Sequence, residues 1–85
     1  MNQVDVRATA LDVLAGIAPE SAGMELADDL PLREQVDLDS MDYLNFLIGI
    51  HERVGVEIPE DDYARCETLD GLLAVIAEAA ARPPA

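Results

Sequence analysis

Apolar residues in this chain return every three or four positions in three separate stretches, and no alternating strand pattern competes with them. A chain patterned in this way has to bury helical stripes against one another. In the first stretch Ala10, Leu11, Leu14, Ile17 and Ala18 share a face and Pro19 disfavours continuation, which predicts a helix over about 5–18. The second is predicted over 40–54, with Asp39 as N-cap, Asp42 at the third helical position and Gly55 as the stop. Thr68 caps the third, over 68–80, whose stripe is Leu69, Leu72, Leu73, Ile76 and Ala80. Pro59 suits the start of a short helix over 60–65, and residues 81–85 are expected to be a loose tail.

Between the first two helices lies a period-free stretch, Pro19 to Asp39, in which Met24, Leu26, Leu30, Leu32, Val36 and Leu38 are expected to anchor a long loop to the core. At 85 residues and 51% hydrophobic content there is material for one core. The expectation is a single all-α domain, a four-helix bundle of three main helices plus a short third one, with the long loop between helices one and two. Cys66, the only cysteine, excludes an intrachain disulfide and reads as a small buried hydrophobe.

Charge narrows the partners. Eighteen acids against five arginines give a formal net charge of −13, which repels phosphate backbones and anionic lipid alike, so neither nucleic acid nor membrane insertion is expected. The amino-terminal residues lack the basic start and apolar run of a signal peptide, and the charge-free runs are too short to span a bilayer. A cytoplasmic monomer is the expectation.

The second predicted helix holds more apolar surface than one core needs. By phase, Phe46, Leu47, Ile50 and Val54 face the core, whereas Met41, Leu44 and Ile48 follow another row. Either that row meets partners or the long loop covers it.

The segment Val36-Asp37-Leu38-Asp39-Ser40-Met41-Asp42 sets one serine at a loop-to-helix junction, flanked by acids and followed by a large apolar residue. Here the chain resembles the acyl carrier protein family, whose attachment site reads Asp-Ser-Leu at the start of the second helix. The resemblance runs on through Val56-Glu57-Ile58-Pro59 to the Leu69-Asp70-Gly71-Leu72 opening of the last helix, in register with all four helices. It implies that Ser40 carries 4'-phosphopantetheine, placed there from coenzyme A by a phosphopantetheinyl transferase, and that the protein catalyses nothing itself. Acyl groups would then ride as thioesters between loading and processing enzymes that present basic docking patches. A helix N-terminus suits a bound phosphate, and loop exposure lets the hydroxyl enter another protein's active site. Ser21, the only other serine, follows Pro19-Glu20 and reads as a turn residue.

Asp39, Asp42 and Glu52 are the expected steering charges beside the row Met41, Leu44 and Ile48. The chain departs from the family in having Asp37-Leu38 where a glycine is usual and Met41 for the usual leucine. Asn45, His51 and Arg53 stand where fatty-acid carriers tend to place glutamates. A specialised carrier for a lipid or secondary-metabolite pathway is therefore expected, with an aminoacyl or peptidyl carrier, or an unmodified docking module, as alternatives. Ser40 and His51 lie eleven residues apart on one helix, about 16 Å, and cannot form a catalytic pair. No metal is assigned: His51 lacks a second ligand at suitable spacing, and an EF-hand begun at Asp37 would put Asp42 at its glycine position and Ile48 at its glutamate position.

Overall fold

A computed structural model of the chain describes residues 3–81. Helix α1 is Gln3–Ile17, α2 Leu32–Gln35, α3 Ser40–Val54 and α4 Leu69–Ala81, with 3₁₀ helices at Pro19–Gly23 and Glu60–Glu67. Among the described residues there is no strand, and no helix is long and apolar enough to cross a membrane. The expected tail lies outside these residues, apart from Ala81, which closes α4.

α1 presents Val6, Ala10 and Leu14 to the core at four-residue intervals, a row that Ala18 continues just beyond its end, with Leu11 and Ile17 half-buried at its edges. Small residues on this face let α3 come close. A side chain at Gly49 would meet the Val13 Cγ1 at 2.7 Å, so anything larger than glycine would have to push Val13 aside where α3 crosses α1. Phe46, Leu47 and Ile50 complete that contact, and truncating the fully buried Phe46 to alanine should cost about 3–5 kcal/mol. α4 closes the core with Leu69, Leu72, Val75 and Ile76. Its predicted stripe was right at three of those positions, but Ala80 is exposed and Val75 takes its place inside, because the helix is covered along its first two turns and not at its end.

The long loop is held by polar groups as much as by apolar ones. Leu32, Val36 and Leu38 are buried and Leu26 is half-buried, as expected, whereas Met24 and Leu30 are exposed. They face outward because the backbone there is tied down by its amides and carbonyls instead. The Gln35 carboxamide accepts from the Ala27 N–H at 2.7 Å and donates to the carbonyls of Ala27 at 2.9 Å and Leu30 at 3.0 Å. Arg7 on α1 grips the Asp28 carboxylate through Nη2 at 2.7 Å and Nε at 3.0 Å, and the Asp28 carbonyl accepts the Asp70 N–H of α4 at 3.0 Å. The guanidinium's hydrogen bonds hold the Asp28 carboxyl below its ordinary range.

The short helix expected over 60–65 is a 3₁₀ helix of eight residues. Arg65 ties it to α4 through Glu78 at 2.6 Å, and the Arg65 carbonyl sits where a Gly71 side chain would begin. Only a glycine lets α4 start this close to the preceding segment.

Candidate functional site

The approach to α3 alternates. Val36 and Leu38 point into the core, so Asp37, Asp39 and Ser40 are left on the surface. Asp39, in extended backbone (φ −84°, ψ 179°), accepts the Asp42 N–H on its carboxylate at 2.7 Å, and the Asp42 carboxylate accepts the Asp39 N–H at 3.3 Å. This reciprocal cap satisfies two of the amides that a helix N-terminus leaves without intrahelical acceptors; the other two belong to Ser40 and Met41. Ser40 is therefore the first residue of α3, exposed, on a backbone fixed from both sides. The hydroxyl is accessible and the helix dipole favours negative charge beside it.

Below Ser40 the helix is anchored. Tyr43, one turn on, is buried, donates its hydroxyl to the Tyr63 carbonyl at 2.5 Å, and thereby fastens the second 3₁₀ helix to α3. Burial pushes the Tyr43 phenol well above its ordinary range. The Arg33 guanidinium lies 5.8 Å from the centre of the same ring and its Nε donates to the Leu38 carbonyl at 3.4 Å. Neither Tyr43 nor Arg33 was singled out as a site residue from sequence. The i, i+3 spacing of Ser40 and Tyr43 was the available signal for the tyrosine.

The two apolar rows of α3 separate as phase predicted. Phe46, Leu47 and Ile50 are inside, Val54 is half-buried, and Met41, Leu44 and Ile48 are 63%, 38% and 45% exposed, so the loop does not cover them. Glu52 is exposed at the far end of the helix. A shallow groove of about 200 Å³ lined by Leu47, Ile48, His51, Glu57, Ile58 and Tyr63 runs beside this row.

Other reactive groups are occupied elsewhere. The His51 Nδ1 lies 2.9 Å from the Val56 carbonyl, at the end of α3 where Gly55 (φ 75°) turns the chain out of the helix. Arg53 pairs with Asp12 of α1 at 2.9 Å. Cys66 is fully buried and burial pushes its thiol up to about 11. Ser21 is 6% exposed, out of reach of another protein's active site. Among the described residues no three His, Cys, Asp or Glu side chains gather to hold a metal ion.

The family model described as "Phosphopantetheine attachment site" matches residues 6–76. The chain is 30% identical over 67 residues to D-alanyl carrier protein 1 of Lactiplantibacillus plantarum, covering 79% of this chain and 81% of that one. It is 29% identical over 72 residues to an acyl carrier protein of Streptomyces coelicolor, covering 85% and 78% respectively. With an acyl carrier protein of Thermobifida fusca it shares 30% identity over 66 residues, 74% of this chain and 84% of the relative. No solved structure matches significantly.

Proposed function

We propose, from the premise that this chain belongs to the family of phosphopantetheine-attachment carrier proteins, that Ser40 is its attachment residue and that its cargo is an acyl group. The family brings a covalently attached 4'-phosphopantetheine arm, which supplies a terminal thiol on which cargo is held as a thioester. The single observation that carries the assignment of Ser40 is its exposure at the first position of α3, on a backbone pinned by the Asp39–Asp42 cap, while the only other serine is buried. Loading would join the Ser40 Oγ to the pantetheine-bearing phosphorus of coenzyme A. The bond to the adenosine bisphosphate half breaks, and the hydroxyl proton passes to the transferase.

The rest of the chain orients this group and presents it. Met41, Leu44 and Ile48 form the face on which transferase and acyl-processing enzymes would dock, with Asp39, Asp42 and Glu52 steering basic patches towards it. Asn45, His51 and Arg53 thin out the acids along α3, which supports a specialised lipid or secondary-metabolite pathway over general fatty-acid synthesis. One specific observation favours a second reading, an aminoacyl cargo: the similarity to a D-alanyl carrier protein.

Offering the loaded protein to acyl-activating and to amino-acid-activating enzymes decides between the two. Mass gains removed by hydroxylamine are expected with acyl groups. Gains with D-alanine or another amino acid alone would establish the second reading, and full-rate elongation by a reconstituted fatty-acid synthase would sink the specialised pathway.

A further inference from the structure

Four arginines lie among the described residues, and three of them are spent on carboxylates. Arg7 holds Asp28 at 2.7 Å, Arg53 holds Asp12 at 2.9 Å and Arg65 holds Glu78 at 2.6 Å. Arg33 alone of these four has no carboxylate partner, although Glu34, Asp37, Asp39 and Asp42 surround it in sequence and the chain carries 18 acids. Its guanidinium instead faces a ring, 5.8 Å from the ring centre, and a carbonyl, 3.4 Å from Nε, neither of which carries a compensating negative charge. The ring is that of Tyr43 and the carbonyl that of Leu38, two residues before Ser40.

Those two contacts put the charge on the Ser40 side of α3. Residues three apart on a helix have side-chain origins about 5–6 Å apart on one face, so Ser40 and Tyr43 share a side of α3, and the cation 5.8 Å from the Tyr43 ring centre stands on that side. From the other direction, consecutive Cα atoms are about 3.8 Å apart, which puts Ser40 within about 8 Å of Leu38 along the chain. A phosphodiester on the Ser40 Oγ would add negative charge to a turn that already holds Asp37, Asp39 and Asp42. Nε is engaged on the Leu38 carbonyl, and a guanidinium's remaining N–H donors suit two phosphate oxygens at once.

We propose that Arg33 is the counter-charge for the phosphodiester on Ser40, a positioning residue that fixes the root of the arm against the Tyr43 side of α3. This rests on the assignment of Ser40 as the attachment residue. In the loaded protein the first bond of the arm is thereby oriented, whereas the thiol end stays free to travel. A lysine would supply charge without the fork.

The test compares unloaded and loaded protein, the site of loading mapped by peptide fragmentation, for the wild type and for Arg33→Gln, Arg33→Lys and the control Arg53→Gln. The Arg33 Nε–H resonance is expected to shift on loading while those of Arg7 and Arg53 stay in place. The phosphorus resonance is expected to move in Arg33→Gln, less in Arg33→Lys, and not in Arg53→Gln. If Ser40 is loaded and neither signal responds, the proposal is overturned while the attachment site stands. If Arg33→Gln moves the backbone amides of Leu38 to Met41 equally in both forms and leaves phosphorus unmoved, Arg33 is only a structural brace and the proposal also fails. An adduct that maps elsewhere than Ser40, or no adduct at all, overturns the attachment site and this inference with it.

Discussion

α3 and α4 begin on the same device, a side-chain oxygen that takes an amide of the first turn: the Asp39 carboxylate receives the Asp42 N–H at 2.7 Å and the Thr68 hydroxyl the Gly71 N–H at 2.9 Å. Past that turn they part. The start of α4 is jammed against the second 3₁₀ helix, with Leu69 and Leu72 fully buried and no room for a side chain at Gly71. The start of α3 stands open, with Ser40 exposed and an apolar row turned outward. Capping makes a helix end rigid, and what surrounds the end decides whether that rigidity serves the core or offers a group to another molecule.

The widest separation between the two regions should appear in thiol chemistry. With its thiol pushed up to about 11, the buried Cys66 holds about a hundredfold less thiolate at neutral pH than an ordinary thiol, whereas a thiol at the end of an arm on Ser40 would be solvated. Alkylation of the loaded protein at pH 8 should modify the arm within the time that leaves Cys66 untouched, and Cys66 should react only in denaturant. Because folding keeps Cys66 neutral, its contribution to stability is complete below about pH 9 and is lost as pH rises to about 11. Denaturant midpoints measured across that range check the sign.

Next in size is the jam itself. Gly71→Ala drives a methyl group into the Arg65 carbonyl and should cost about 3 kcal/mol by denaturant unfolding. The same substitution at Gly16, beside which nothing lies within 4 Å, should be neutral or mildly stabilising.

The caps sharpen the comparison further. Asp39→Ala and Thr68→Ala should each lose about 1 kcal/mol, yet only Asp39→Ala should slow modification at Ser40, because only that cap orders the backbone at Ser40. Equal slowing by both would mean that global stability, not local order, governs loading. The smallest effect on folding belongs to the outward row: Leu44→Gln and Ile48→Gln should change stability by less than about 0.5 kcal/mol while weakening partner binding, which titration calorimetry against a transferase would report.

Much of this contrast is legible in the sequence itself. Phase alone divided Phe46, Leu47 and Ile50 from Met41, Leu44 and Ile48, because a helix converts spacing into direction. Ser40 stood out through the short motif in register with the surrounding helices, and Asp39 and Thr68 were readable as caps because capping acts within three residues. The long loop was not legible in the same way. A stretch without a period assigns no side, so Met24 and Leu30 were counted with the anchors although both are exposed. The groups that do hold the loop, Gln35, and Arg7 with Asp28, look in sequence like solvated surface, and their roles depend on partners up to 21 residues away. Arg33 escaped notice for the same reason, since its importance lies in a ring ten residues on and in what the other arginines are doing.

Mass measurement of the whole protein tests the central claim most directly. After incubation with coenzyme A and a broad-specificity phosphopantetheinyl transferase, wild-type protein should gain one phosphopantetheine, mapped by fragmentation to Ser40. Ser40→Ala should gain none. A folded wild-type chain that stays unmodified with several transferases, or a Ser40→Ala chain that still takes up the group, would contradict the account.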